Sequence, residues 1–318
     1  MRPYNELSQS AQFRRLRTLA LSALPAWGLD VQRVRPLSYW ENATFRVDAA
    51  QGSFLLRVHR PGYRTQGQIQ GELAWLRALG ARTDLAVQEP LGEPVLGRAP
   101  GVPQARWCTL LRWAHGRILR KPTARHCGLA GAAMAQLHDF AEGFRERLDR
   151  PVWDTTDVFQ MPRDAGVLAL LPDADWRTWE SGLARLAAIQ DGLGRGAQEF
   201  GLVHVDLHFS NLVFRAGQAV PIDFDDGGWS HYALDLSTPW MRIRRLAEPE
   251  RGWAAFVEGY TAVRELPVTR LALLPELAAL EPLMLPRWLQ GQLHRHQVQG
   301  WPAKRLPEFV AGLREWGL

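Results

Sequence analysis

The 318-residue sequence contains only two cysteines, Cys108 and Cys127, and they form no CxxC pair. This count argues against a disulfide framework or a zinc ribbon and favours buried thiols in a reducing compartment. No apolar run approaches the roughly 20 residues of a membrane span, and residues 1–12 lack the apolar core of a signal peptide. We therefore expect a cytoplasmic protein that makes no membrane contact.

Lysine is almost absent, because Lys121 and Lys304 are the only two and arginine carries nearly all the positive charge. The 38 basic and 33 acidic residues give a formal net charge of +5, which suits an anionic ligand as well as nucleic acid. The arginine clusters at residues 14–17 and 242–245 have little aromatic interleaving and no nucleic-acid-binding signature. We interpret them as solvated helix faces and expect no nucleic-acid partner.

A chain of this length, with 46% hydrophobic residues, can bury a large core in one large domain or two coupled domains. The first 110 residues alternate between strand and helix patterns. Short β-rich runs lie at residues 31–37, 43–48 and 53–59, and turn-forming residues separate the last two. Apolar residues with helical spacing, namely Ile69, Leu73, Leu76 and Leu79, predict a helix over about 66–79.

The pattern becomes helical after a connector at residues 112–116, which follows a buried-strand candidate at 107–111. One apolar helix face is formed by Leu129, Ala133, Leu137 and Phe140. A strand–loop–strand–turn–strand block at 201–224 interrupts the helical pattern. The predicted organisation is an N-terminal lobe of residues 1–111, a hinge at 112–116 and a helical C-terminal lobe of residues 117–318.

The stretch at residues 202–226 carries most of the chemical information. Two apolar strands flank polar residues, and a hairpin turn at 215–218 brings the second acidic group back toward the first. Asp206, Asn211 and Asp223 are therefore expected to converge. Phosphoryl transfer needs a carboxylate that accepts the proton of the attacking hydroxyl and two oxygen ligands for Mg²⁺. Asp206 is the candidate base, and Asn211 and Asp223 are the candidate metal ligands.

Other polar side chains in or near this stretch have less specific interpretations. His204 and His208 are spaced as i and i+4, but a strand and loop do not place two such rings together as metal ligands. We interpret His204 as a structural histidine that bonds local backbone. Asp225 either assists a second Mg²⁺ or caps the turn. His294 and His296 lie in a polar stretch and are expected to face solvent.

The pattern HxDxxxxN at residues 204–211, followed by IDFDD at 222–226, resembles the aminoglycoside phosphotransferase and choline kinase family, relatives of the protein kinases. Residues 53–79 are similar to the family's phosphate-anchoring strand and following helix, and 134–138 to the helix before its catalytic loop. The resemblance covers residues 31–240 in the right order. It implies an α+β, protein-kinase-like fold of two lobes, a small antiparallel-sheet N-lobe and a mostly helical C-lobe, with the nucleotide in the cleft between them.

The resemblance also implies roles for three charged side chains. Arg57 would contact the nucleotide phosphates, and Glu72 would pair with it and hold the strand and helix together. Many kinases have lysine at this strand position, but a guanidinium is always charged and can clamp a phosphate through two bonds. Asp235 would brace the catalytic loop by accepting hydrogen bonds from its backbone.

The segment expected to cover the phosphates, residues 36–45, contains no glycine and cannot approach the nucleotide as a glycine-rich loop does. Ser38 and Asn42 are the candidates for bonding the phosphates in its place. By resemblance, the adenine would form hydrogen bonds with the backbone of Arg112 and Ala114 in the connector.

We expect a Mg²⁺-dependent kinase that transfers the γ-phosphate of ATP or GTP to a hydroxyl of a small molecule, such as an aminoglycoside, choline or a homoserine-like metabolite. One alternative is a protein Ser/Thr kinase of the bacterial stress type. Another is a nucleotide-binding scaffold without turnover, because Val205 and Ser210 stand where relatives often carry a small residue. Oligomeric state is left open. Helical residues Trp240, Trp253, Glu258 and Tyr260 either line an acceptor pocket or, as we favour, form a Trp-rich core.

Overall fold

The computed structural model describes residues 2–157, 168–279 and 301–315, together with Leu283 and Leu289. His294 and His296 lie outside these residues. The chain divides into two units, one made of residues 1–81 and 87–115 and the other of residues 82–86 and 116–318. Among the described helices, none has both the length and the apolar character needed to cross a membrane.

An antiparallel sheet with the strand order β1-β2-β3-β5-β4 forms much of the first unit. Its strands are β1 (Val31–Tyr39), β2 (Ala43–Ala49), β3 (Gly52–Val58), β4 (Val95–Gly97) and β5 (Arg106–Arg112), accompanied by helices α1 (Gln9–Ala23) and α2 (Gln66–Arg82). The predicted runs are confirmed as β1, β2 and β3. Gly52 closes the β2–β3 hairpin opposite Ala49 with a φ of 123°, a conformation that favours glycine.

The core of this unit lies between α1 and the sheet. Phe45 and Leu56 are fully buried on β2 and β3, and Leu16 of α1 joins them in one hydrophobic cluster. Burying each such side chain contributes about 1.5–3 kcal/mol. Arg14 and Arg17 of the same helix are exposed, so the predicted solvated face of this arginine cluster is confirmed.

Helix α2 presents its predicted apolar face to the core. The buried residues include all four that define the sequence pattern, namely Ile69, Leu73, Leu76 and Leu79. Glu72 is buried on the same helix, which is unusual for a carboxylate without a paired charge. Its paired charge is Arg57 of β3.

The second unit is mostly helical and contains two small antiparallel strand pairs. Its described helices are α3 (Ala124–Gly143), α4 (Asp173–Leu193), α5 (Tyr232–Ile243), α6 (Pro249–Thr261), α7 (Val268–Leu271), α8 (Leu274–Ala279) and α9 (Trp301–Glu315). The pairs are β6 (Phe200–Val203) with β9 (Gly228–His231), and β7 (Leu212–Arg215) with β8 (Gln218–Pro221). Sequence patterns predicted the region of β6 to β8, but not β9 as the partner of β6.

Helices α3 and α6 approach each other so closely that only glycine fits at two positions. A Cβ atom on Gly131 would overlap the carbonyl oxygen of Phe256, and one on Gly259 would overlap the carbonyl oxygen of Gly128. Backbone atoms of a packed helix cannot move aside as a flexible side chain can. The missing side chains therefore set the distance between these two helices.

The aromatic residues of α6 pack into this helical core. Tyr260 is only 1% exposed, and its Oη lies 2.8 Å from His138 Nδ1. Trp253 stacks on Phe256 with ring centroids 5.0 Å apart. Glu258 is exposed. Tyr260 is thus a core residue, as the favoured interpretation predicts, and is not available to an acceptor.

Replacing Gly259 with alanine tests the close helix contact. We expect Gly259→Ala to lower the free energy of unfolding by about 1–3 kcal/mol, because the new methyl group meets backbone. The control is Gly192→Ala in α4, where an added Cβ meets nothing within 4 Å. That variant should be neutral or up to about 1 kcal/mol more stable. Urea denaturation measures both, and an unchanged midpoint for Gly259→Ala would contradict the packing described.

Candidate active site

The loop between β6 and β7 folds back so that the side chains of Asp206 and Asn211 meet. Asn211 Nδ2 donates to the carbonyl oxygen of Asp206 at 2.9 Å and to its Oδ2 at 3.0 Å. Backbone hydrogen bonds from His208 N to Asp206 O (2.9 Å) and from Asn211 N to His208 O (2.8 Å) close the loop. Because the amide nitrogen is used as a donor, Asn211 Oδ1 is the side-chain atom suited to binding a cation.

The hairpin of β7 and β8 brings Asp223 to the same loop. Ile222 N donates to Asn211 O at 3.0 Å, which ties the end of the hairpin to the end of the β6–β7 loop. Asp223, the next residue, turns the chain with a left-handed φ of 65°. Asp206, Asn211 and Asp223 thus lie on backbone segments that the structure holds side by side, and their catalytic and metal-binding roles stay a prediction.

Like Asp223, Val205 has a left-handed backbone conformation, with a φ of 69°. Such a conformation is rare for a β-branched residue and costs on the order of 1–3 kcal/mol, so it persists only where the surroundings enforce it. Both backbone groups of Val205 are held: its N–H donates to Asp235 Oδ1 at 2.6 Å, and its carbonyl accepts from Thr238 Oγ1 at 2.9 Å. The strained residue sets the path of the chain immediately before Asp206.

Asp235, at the start of α5, is 1% exposed and accepts further hydrogen bonds through Oδ2. The donors are His204 N at 3.3 Å and His138 Nε2 at 3.0 Å. Burial lowers the pKa of His138, against the opposing effect of the Asp235 carboxylate. A neutral His138 that donates from Nε2 accepts from the Tyr260 hydroxyl at Nδ1. Asp235 thus joins the catalytic loop to helices α3 and α6.

The imidazole of His204 connects the loop that carries Asp206 to the turn that carries Asp223. It is fully buried, its Nε2 donates to the carbonyl oxygen of Ile222 at 3.0 Å, and its ring packs 4.7 Å from that of Phe224. Burial lowers the pKa of His204, which keeps the ring neutral. This arrangement holds the residue before Asp223 against the start of the catalytic loop.

His208 lies beside the candidate base, with Nε2 3.4 Å from Asp206 Oδ2. Desolvation by burial, followed by repulsion from Arg242, lowers the pKa of His208 from 6.5 to about 4. The contact at neutral pH is therefore between a neutral imidazole and a carboxylate. His208 consequently does not neutralise the charge of Asp206.

Arg150 is a positioning residue that sequence patterns did not reveal. Its buried guanidinium donates at 2.8 Å to three carbonyl oxygens of the turn after Asp223, those of Phe224, Asp225 and Gly227. Asp225 itself is 4% exposed, and its two predicted roles, assisting a second Mg²⁺ or capping the turn, stay predictions. No local pattern marks Arg150, because its segment reaches the turn through long-range contacts such as the parallel bridge between Val152 and Trp229.

In the first unit, Arg57 and Glu72 form a buried ion pair. Arg57 Nη1 lies 2.7 Å from Glu72 Oε1, and the two side chains are 2% and 1% exposed. The pair joins β3 to α2. Asn42 Oδ1 accepts from the backbone N–H of Arg60 at 2.9 Å, which anchors the β1–β2 turn, whereas Ser38 is exposed.

The connector residues predicted to meet the adenine differ in their backbone bonding. Arg112 N donates to Glu89 O at 2.8 Å, and its carbonyl accepts from Gln88 Nε2 at 3.2 Å. The backbone of Ala114 makes no hydrogen bond within the described parts of the chain. Ala114 is therefore the member of the pair with open backbone groups, and adenine binding there stays a prediction.

The buried histidines predict that stability falls in acid. Burial lowers the pKa of His138, His204 and His231 as well as that of His208. Below pH 6.5 the unfolded state binds more protons than the folded state, so stability decreases as pH falls toward about 4. Between pH 7 and 5, His208 alone should account for about 2 kcal/mol. Urea denaturation without metal or nucleotide should show a smaller loss for His208→Gln, and an identical loss would contradict this.

Comparisons with known proteins identify the family to which the chain is similar. The APH model, described as the phosphotransferase enzyme family, matches residues 33–272. A homoserine kinase of Chelativorans sp. (strain BNC1) is 29% identical over 258 residues, covering 75% of this chain and 73% of that protein.

Two solved structures share the fold. A microcompartment-associated aminopropanol kinase has a TM-score of 0.71 and 24% identity, covering 91% of this chain and 94% of that chain. The amicoumacin kinase hAmiN, solved with AMP-PNP, Ca²⁺ and Ami, has a TM-score of 0.77 and 18% identity, covering 97% and 96%. The predicted α+β, protein-kinase-like fold class is thereby confirmed, and so is the resemblance read from the HxDxxxxN and IDFDD motifs. Because the family model spans most of the sequence and includes both motifs, the chain belongs to the phosphotransferase enzyme family.

Proposed function

We propose that this phosphotransferase transfers the γ-phosphate of ATP, with Mg²⁺, to a hydroxyl group of a small amino alcohol. The observation that carries the proposal is the contact between Asp206 and Asn211, 3.0 Å from Oδ2 to Nδ2, in a loop tied to Asp223. One carboxylate for the acceptor hydroxyl and two oxygen donors for a cation form the set that phosphoryl transfer requires.

Asp206 acts on the acceptor. Its Oδ2 is oriented by the Asn211 amide and lies near His208, while its backbone carbonyl is fixed by the same amide. The carboxylate holds the acceptor hydroxyl in line with the γ-phosphate and accepts its proton as the new P–O bond forms and the bond from the γ-phosphorus to the bridging oxygen breaks, releasing ADP. An ordinary carboxylate suffices, because a loose transition state depends more on positioning than on basicity.

The residues present fit a hard divalent cation. Asn211 Oδ1 is oriented by the donation from Nδ2, and Asp223 supplies a carboxylate from a strained turn that His204 and Arg150 hold from two sides. Amide and carboxylate oxygens are the ligands that Mg²⁺ prefers. When bound, Mg²⁺ neutralises charge on the phosphate oxygens.

Arg57 contributes the phosphate anchor in the first unit. Its pairing with Glu72 fixes the guanidinium between β3 and α2, and its permanent positive charge attracts the phosphates. Arginine is permanently charged, so this anchor does not weaken at high pH as a lysine anchor would.

The substrates of two related kinases support this acceptor class. Homoserine and aminopropanol each combine a hydroxyl with an amine on a short carbon chain. We therefore place this protein's acceptor among small amino alcohols rather than peptides. Neither Val205 nor Ser210 removes a group that the chemistry requires, which favours an active enzyme over a silent scaffold.

The test is phosphate transfer from ATP to a panel of homoserine, 1-amino-2-propanol, ethanolamine, choline, amino sugars and a generic peptide. Wild-type protein should phosphorylate at least one amino alcohol. Asp206→Ala should lose about two or more orders of magnitude in kcat while it still binds ATP. The control is Asp139→Asn, which removes an exposed carboxylate on α3 and should retain activity.

Two results would contradict the proposal. Transfer only to the peptide would replace the small-molecule acceptor with a protein substrate. Transfer that survives in Asp206→Ala at the wild-type rate would show that this carboxylate is not the base.

A second prediction concerns the metal. Asp223→Asn should raise the Mg²⁺ concentration needed for half-maximal activity by about tenfold or more, because one anionic ligand is lost. Thermal stabilisation by Mg²⁺ with ATP should weaken in parallel, which gives a measurement independent of turnover. An unchanged Mg²⁺ requirement would exclude Asp223 as a ligand.

A further inference from the structure

Arg60, two residues beyond the end of β3, is a buried arginine with unused hydrogen-bond donors. The residue is 5% exposed, and its Nε and Nη1 atoms are buried and have no hydrogen-bond partner among the described residues. A guanidinium carries five N–H groups, of which three belong to these two nitrogens. Burial of charged donors without acceptors is costly, so such donors indicate a missing acceptor.

Protein contacts fix the position of this guanidinium. Its carbon lies 3.3 Å from the centroid of the Tyr63 ring, and its Nη2 lies 3.2 Å from Glu41 Oε2. The backbone N–H of Arg60 donates to Asn42 Oδ1 at 2.9 Å. The donors are therefore preorganised, which lowers the entropic cost of binding an anion.

The strand register places Arg60 near the phosphate anchor. Ala43 pairs with Val58 and Thr44 with Arg57, so the β1–β2 turn stands over the segment that follows Val58. Glu41 and Asn42 of that turn both contact Arg60. Arg60 therefore occupies the end of the strand pair that carries Arg57.

The composition of the β1–β2 turn explains why side-chain donors such as those of Arg60 would be needed for phosphate binding. Residues 36–45 contain no glycine, so their backbone cannot wrap closely around phosphate groups. A side chain with several N–H groups can replace backbone donors, and arginine suits phosphate through bidentate geometry.

We propose that Arg60 donates hydrogen bonds to a phosphate group of the bound nucleotide and so forms a second phosphate-binding arginine beside Arg57. This inference rests on the proposed function, because it assigns a further contact to the nucleotide of that reaction. The chemical class recognised is an oxyanion of a nucleoside di- or triphosphate. The turn that contacts Arg60 is thereby coupled to nucleotide binding.

The experiment compares the affinities of wild type, Arg60→Gln and Arg60→Lys for ATP, ADP and adenosine by calorimetry. Arg60→Gln should weaken ATP binding by about tenfold or more, because charge-assisted hydrogen bonds are lost, and should leave adenosine binding unchanged. Arg60→Lys should show a smaller loss. The control is Arg14→Gln, which removes an exposed arginine on α1. This variant should bind ATP, ADP and adenosine with wild-type affinity.

A thermal-shift measurement with inorganic pyrophosphate provides a readout independent of turnover. Pyrophosphate should raise the Tm of wild type and raise that of Arg60→Gln by less. If Arg60→Gln lowers the Tm of the free protein but keeps wild-type affinity for ATP, Arg60 only supports the fold and the proposal is overturned.

Two other outcomes would also overturn the proposed contact between Arg60 and a nucleotide phosphate. An equal loss of ATP and adenosine affinity would overturn the phosphate contact. A raised KM for the acceptor with unchanged ATP affinity would assign Arg60 to an anionic group of the acceptor instead. Failure of the ATP premise of the proposed function is distinguished by the wild type, which in that case would not bind ATP, whereas a different acceptor would leave the ATP affinities of wild type and Arg60→Gln to be compared as above.

Discussion

The carboxylate of Asp235 accepts hydrogen bonds from the backbone N–H groups of His204 and Val205 and from the ring of His138. The backbone path of the loop between β6 and β7 depends on this one buried group. In a low-dielectric interior, each of these donors would be costly to leave unpaired, so the carboxylate enforces a backbone conformation that valine rarely adopts. The chain consequently leaves β6 in the direction that presents Asp206.

The same principle holds the turn that contains Asp223, where buried side chains satisfy backbone carbonyls. His204 donates to Ile222, and Arg150 donates to three carbonyls on the other side of Asp223. In phosphoryl transfer the protein performs little covalent chemistry, and catalysis depends mainly on the accurate positioning of the reacting groups. The residues that do not touch substrate are therefore as important to the site as those that do, because they determine where the reactive oxygens lie.

Because lysine is scarce, arginine carries the buried positive charge of the first unit. Arg57 takes the position of the usual lysine, and its planar group pairs with Glu72 inside the core. A guanidinium is more weakly hydrated than an ammonium group and tolerates burial better when it is paired. Arg60 lies beside a turn without glycine. In the proposed phosphate site, its side-chain N–H groups replace the backbone N–H groups that a glycine-rich turn would provide.

Local patterns in the sequence determined the strands β1 to β3, the apolar face of α2 and the contact between Asp206 and Asn211, because these depend on alternation, helical spacing or a separation of only five residues. The family motifs supplied the order of the parts. Only the tertiary structure decided the partners of His138 and Arg150, which lie 97 and 77 residues from the groups they hold. Such contacts leave no periodic signal in one sequence, since they arise where packed elements happen to meet and a buried polar group must find an acceptor.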